Sequence, residues 1–141
     1  MSQPNFDFNQ FVAWIQKGWS QWLPLDKASV KTIPPLPGVY EIRVKNYSFP
    51  RLQGQTSTIY IGCAEKRELV KRLNGLTRDI PSKSGVRTRR TCIEKVKSGL
   101  QKELEFRYRC ETEERAKEVE QELLMQYETQ HLELPPCNHN I

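Results

Sequence analysis

At 141 residues the chain is sized for one domain around one core, and it holds no run of about 18 apolar residues, which excludes a transmembrane helix. The N-terminus shows no charged segment followed by an apolar one, so secretion is not expected and a cytoplasmic location is. The net charge of +5 is unevenly spread: Glu65 to Arg109 holds 14 Lys or Arg against 6 Asp or Glu, a net +8, while Cys110 to Ile141 holds 2 against 8, a net −6. The basic middle suits a polyanionic partner, although a solvated face would carry the same composition.

Phe6 to Leu23 contains three tryptophans and three phenylalanines. Phe8, Phe11, Val12, Ile15 and Trp19 fall at helical spacing, which predicts an amphipathic helix. Such a helix either packs into the core or buries its face on a partner, a second copy of the chain included. Lys31 to Pro37 carries Pro34, Pro35 and Pro37 and reads as a rigid connector. The division that follows is 1–36, an aromatic helix and connector, and 37–141, a compact domain.

Gly38 to Lys45 reads as a strand, with Tyr40, Ile42 and Val44 alternating with Glu41 and Arg43. Asn46 to Thr56 is a polar loop, and Thr58 to Gly62 a second strand antiparallel to the first. Glu65 to Leu76 is a helix with Leu69, Val70, Leu73 and Leu76 on one face. Thr77 to Arg87 is a loop. Thr88 to Ser98 is a basic helix ended by Gly99. Leu104, Phe106 and Tyr108 alternate with Glu105, Arg107 and Arg109 in a third strand, Glu103 to Cys110. Glu113 to Gln130 is a long helix, and Pro135-Pro136 bar its continuation. The order predicts an α+β fold: a small three-stranded antiparallel sheet flanked by helices, with an additional N-terminal helix.

Three residues stand out chemically. At about 100° per residue, Ala116, Val119, Leu123, Leu124 and Tyr127 share one face of the last helix, and Glu120 lies inside it. A carboxylate there is costly unless a cation or metal compensates it. Arg72 flanks the apolar face of its helix one turn after Glu68, so it either pairs with Glu68 or aims its fork of donors at a phosphate. Asn138 follows Pro135-Pro136-Cys137, where the prolines preset the backbone. Cys63, Cys92, Cys110 and Cys137 form no CxxC pair, and with His131 and His139 alone they give little support to a zinc site. They read as reduced thiols.

Gly38-Val39-Tyr40 and Tyr60-Ile61-Gly62, with Arg72, Glu120 and Asn138 in that chain order, resemble the signature of the GIY-YIG nucleases over about Pro37 to Ile141. The chain departs from the family in three ways. Nineteen residues, Glu41 to Ile59, separate the two elements, more than is usual. Arg72 lies two residues further from Gly62 than in many members, which leaves Arg67 as an alternative. Leu76 stands where some members have histidine. Glu122 is a competing carboxylate, but the helical wheel turns it off the apolar face.

The resemblance implies a metal-dependent DNA endonuclease. In it Tyr40 or Tyr60 takes a proton from water, and Arg72 stabilises the phosphorane. Glu120 holds one Mg²⁺ or Mn²⁺, and Asn138 and Tyr40 orient the network. Arg87, Arg89, Arg90, Lys95 and Lys97 would then follow the DNA backbone. The alternative is a catalytically silent nucleic-acid-binding or protein-interaction module on the same fold.

Overall fold

The computed structural model describes residues 8–65, 68–77 and 86–138. Its elements are α1 (Phe8–Gln16), β1 (Leu23–Pro24), α2 (Lys27–Val30), β2 (Gly38–Val44), β3 (Phe49–Pro50), β4 (Gln55–Thr56), β5 (Thr58–Ala64), α3 (Leu69–Thr77), α4 (Val86–Leu100), β6 (Leu104–Cys110) and α5 (Glu113–His131). The fold is α+β.

The three runs with strand character, joined by the short β1, form one antiparallel sheet in the order β1-β6-β2-β5, with β2 paired on both sides. Alternation sets the faces. Tyr40, Ile42 and Val44 of β2 join Leu104, Phe106, Tyr108 and Cys110 of β6 in the main core, which Leu69, Leu73 and Leu76 of α3 and Ile93 of α4 complete. On the opposite face α5 covers Val39, Ile61 and Cys63 with Val119, Leu124 and Tyr127. The rest of that face is a ladder of charge: Arg43 pairs with Glu105 at 2.8 Å and Arg107 with Glu41 at 2.7 Å.

The sheet has four strands rather than three. The N-terminal helix ends at Gln16, short of the segment with helical spacing, because Gly18 takes φ 69 and turns the chain. The next residues run along β6, with Ser20 N–H donating to the Tyr108 carbonyl at 2.8 Å and Leu23 opposite Phe106. Trp19 therefore leaves the helix stripe. Its ring lies 4.3 Å from the Arg107 guanidinium, and Trp22 lies 3.9 Å from that of Arg43, a cation–π cover for the ladder. Phe11, Trp14 and Ile15 pack on the main core, and Val30, Ile33 and Leu36 are part of it.

Two further boundaries differ. Gly99 does not end α4, which runs on to Leu100 because that side chain packs on the core; Gln101, at φ 52, makes the exit. The polar loop 46–56 contains the small hairpin β3–β4, and Arg51 ties it to the end of α5 through Glu133 at 2.9 Å. Residues 78–85, most of the loop expected before α4, lie outside the described residues.

All four cysteines are free thiols. Burial pushes Cys63 and Cys110 from 9.0 up to about 12, and raises Cys137, Tyr108 and Tyr127 as well. These groups stay protonated in the folded chain at a pH where the unfolded chain has lost their protons. Their contribution is therefore complete below pH 9.0 and disappears as the pH climbs towards 12. Urea unfolding midpoints should hold between pH 7 and 8.5 and fall steeply above about pH 9; a flat profile to pH 11 would contradict the burial of these groups.

Candidate active site

Register brings the two tyrosine motifs together. β2 and β5 pair with Tyr40 opposite Gly62 and Ile42 opposite Tyr60. Tyr40 and Tyr60 thus stand on one sheet face with ring centroids 6.0 Å apart. Both close over Gly62, where a Cβ would sit 2.6 Å from Tyr40 Cζ and Oη and 2.7 Å from Tyr60 Cε2. Gly62 is glycine because the rings occupy the place of its side chain. The tyrosines are almost fully buried, 1% and 4% exposed.

β5 is the outer strand of the sheet, so its far edge presents backbone groups that need partners. They are met one rung at a time. Cys137 N–H donates to the Ile59 carbonyl at 2.8 Å. The Asn138 side chain then imitates a neighbouring strand: Oδ1 accepts from Ile61 N–H at 3.0 Å, and Nδ2 donates to the Ile61 carbonyl at 2.9 Å. One rung further, Arg72 Nε donates to the Cys63 carbonyl at 3.3 Å. The prolines before Asn138 aim this amide. Asn138→Ala leaves both Ile61 groups unmatched and should lower stability by about 1–3 kcal/mol. Chemical denaturation measures it, and a loss below about 0.5 kcal/mol would show that water replaces the clamp.

Arg72 does not pair with Glu68. Glu68 bonds Lys71 instead, at 3.4 Å, while Arg72 reaches over the edge of β5. Glu120 approaches the same residue from the other face. It is 8% exposed, and after burial itself its carboxylate is the largest influence holding up the Cys63 thiol. Cys63 thus has Arg72 on its carbonyl, while the Glu120 carboxylate acts on its thiol by charge. The carboxylate in the apolar stripe is answered by Lys117 Nζ, 2.8 Å from Oε1, one helical turn earlier. The ammonium in turn has its pKa raised, mainly by its hydrogen bond to Glu120. Glu114, Glu118, Glu122 and Glu128 are exposed, as their helical positions require. Arg67 lies outside the described residues.

Four of the five candidate residues therefore touch the four-residue stretch of which Tyr60 itself is the first, Tyr60 to Cys63. Lys117 was not singled out in the sequence, and Cys63 was read only as a reduced thiol. The i,i+3 spacing to Glu120 and the place directly after the second glycine motif are the signals that could have found them.

Among the described residues no group of three or more His, Cys, Asp or Glu side chains converges to cage a metal. The donor that does exist, the Glu120 carboxylate, is of the oxygen type that a hard ion such as Mg²⁺ accepts. Lys117, half exposed, can swing off Oε1 to admit it. Of the basic residues, Lys95 and Lys97 project into solvent from α4. Arg87, Arg89 and Arg90 belong to the first turns of α4, with side chains outside the described set. No helix among the described residues is long and apolar enough to cross a membrane. Searches of family models, curated proteins and solved structures found no match to the chain.

Proposed function

We propose that the chain is a metal-dependent DNA endonuclease of the GIY-YIG type that hydrolyses phosphodiester bonds at the outer edge of its sheet. The observation that carries the reading is the meeting of Tyr40, Arg72, Glu120 and Asn138 on Tyr60–Cys63, from both sheet faces and from the C-terminal segment. Residues spread from position 40 to position 138 reach one short strand segment, and their types suit one reaction.

Hydrolysis requires a water deprotonated, charge on the phosphorane stabilised and a leaving oxygen neutralised. Arg72 meets the second need. Its Nε is anchored on the Cys63 carbonyl, and the rest of its planar fork matches phosphate oxygens. Tyr40 or Tyr60, as the tyrosinate, would accept the proton. The ordinary tyrosine pKa is near 10, so this role calls for positive charge nearby, which Arg72 and the bound ion would supply. Asn138 fixes the edge strand against which these groups are aligned. Glu120 is the residue to hold Mg²⁺ or Mn²⁺, which when bound polarises the phosphate and neutralises the leaving oxygen. Before the ion binds, Lys117 balances the carboxylate's charge. The exposed lysines of α4 extend the positive surface along which a phosphate backbone can lie.

One observation favours a second reading, a catalytically silent nucleic-acid-binding module: both tyrosines are nearly sealed in the core. Nicking of plasmid DNA by the parent chain separates the two, and Arg72→Ala then tests the role of the arginine. For the nuclease, single-turnover cleavage should fall about 10²- to 10³-fold while DNA affinity changes only a few-fold, because the group acts on charge that develops in the transition state. A loss of affinity at an unchanged single-turnover rate would reduce Arg72 to a surface contact.

A further inference from the structure

The long connection between the two tyrosine motifs builds a second site. Its hairpin, β3–β4, is fastened to the end of α5. Gln53 N–H donates to the His131 carbonyl at 3.1 Å, and His131 Nδ1 meets the Gln53 carbonyl at 2.9 Å. Held there, Tyr47 and Phe49 set their rings side by side, centroids 6.5 Å apart and planes 26° apart. With Ile59, Lys95, Val96 and Pro136 they line a cavity of about 310 Å³. A bulge creates its inner surface: Ile42 pairs with Tyr60 but Arg43 with Thr58, so Ile59 is the extra residue, turned onto the same face as Tyr60.

We propose that this cavity holds one unstacked base of a single DNA strand. Its volume lies at the lower end of ligand pockets, enough for one flat group. The lining is apolar and aromatic, which suits a base's faces, and Lys95 is the cation among the lining residues. Beside it α4 presents the exposed Lys95 and Lys97 against Glu94, so a flat apolar body joined to negative charge is the complementary ligand. The position fits as well. Ile59 and Pro136 line the cavity, while Cys63, four residues along the same strand and about 13 Å away, meets Arg72 and Glu120. A captured base would lie a few nucleotides from the scissile phosphate. The proposal rests on the nuclease reading for its ligand, and it names the substrate class: DNA with a single-stranded or unpaired stretch.

The test uses the full chain in EDTA, with a fluorescein-labelled single-stranded oligonucleotide and the duplex it forms with its complement. Tyr47 is 37% exposed, so its removal does not open the core. Tyr47→Ala should bind the single strand about tenfold more weakly, as loss of one stacking contact predicts, with duplex affinity unchanged. Tyr47→Phe, which keeps the ring, should match the parent on both. Equal losses on both DNAs, no loss on either, or a phenylalanine variant that behaves like alanine would each overturn the proposal. Plasmid nicking in Mg²⁺ separates it from the nuclease reading. A chain that binds single strands through Tyr47 but never nicks keeps the base site and loses the nuclease. A chain that nicks without any dependence of single-strand affinity on Tyr47 keeps the nuclease and loses the base site.

Discussion

Glu120→Gln should abolish metal-dependent cleavage, lowering the single-turnover rate by at least about a hundredfold, since a bound ion's stabilisation of transition-state charge is worth several kcal/mol. The amide keeps the shape of the side chain but lacks the charge that retains the ion. The fold should not suffer. The lost partner, Lys117, is half exposed, and such pairs contribute little. The change also removes a carboxylate that is 8% exposed among Ala116, Val119 and Leu124. The melting temperature should therefore hold or rise. Rate and melting temperature are to be measured on the same preparation. A variant that cleaves at the parent rate in Mg²⁺ would show that Glu120 is not the metal ligand. One that is inactive only because it melts early would show that the Lys117 pair holds the helix.

The largest stability effect belongs to Gly38→Ala. Gly38 lies on the central strand, opposite Ala64 on one side and Cys110 on the other. A Cβ there would run into the backbone carbonyl oxygen of Arg109 and come within 2.9 Å of Leu69 Cδ1 and 3.0 Å of Cys110 Cα. Two of these neighbours are backbone in the middle of the sheet and have nowhere to move. The cost should be about 3 kcal/mol, the upper part of the range for overpacking, and the melting temperature should drop by about 10 °C. Gly75→Ala is the matched control. That glycine is in α3, a Cβ on it would meet nothing within 4 Å, and alanine should be neutral or stabilising by about 0.5–1 kcal/mol. Thermal melts of the pair decide it; a Gly38→Ala melt within 2 °C of the parent would mean that the sheet is looser than this packing requires.

The strands were legible because alternation is a local signal. Tyr40, Ile42 and Val44, and again Leu104, Phe106 and Tyr108, fall on one face as their spacing demands. The burial of Glu120 was legible because a carboxylate inside an apolar stripe is itself an anomaly. What the sequence could not show were partners far along the chain. Nothing near Asn138 says that its amide will clamp Ile61, 77 positions earlier, and nothing near Arg72 says that it will leave Glu68 for Cys63. Trp19 was misread because its helical spacing continues across Gly18, whose positive φ ends the helix. Gly99 was misread in the opposite sense. A glycine near a helix end usually stops it, but here the burial of Leu100 carries α4 one residue further. The hairpin within 46–56 was hidden because strands of two residues are too short for any periodicity to be read.

The central claim, that the edge strand Tyr60–Cys63 gathers a phosphodiester-cleaving site, is tested most directly by incubating the chain with supercoiled plasmid in Mg²⁺ or Mn²⁺ and in EDTA. Gel electrophoresis should show nicked circles accumulating with either ion and none in EDTA. Supercoiled DNA that stays intact with both ions, or nicking that continues in EDTA, would contradict the claim.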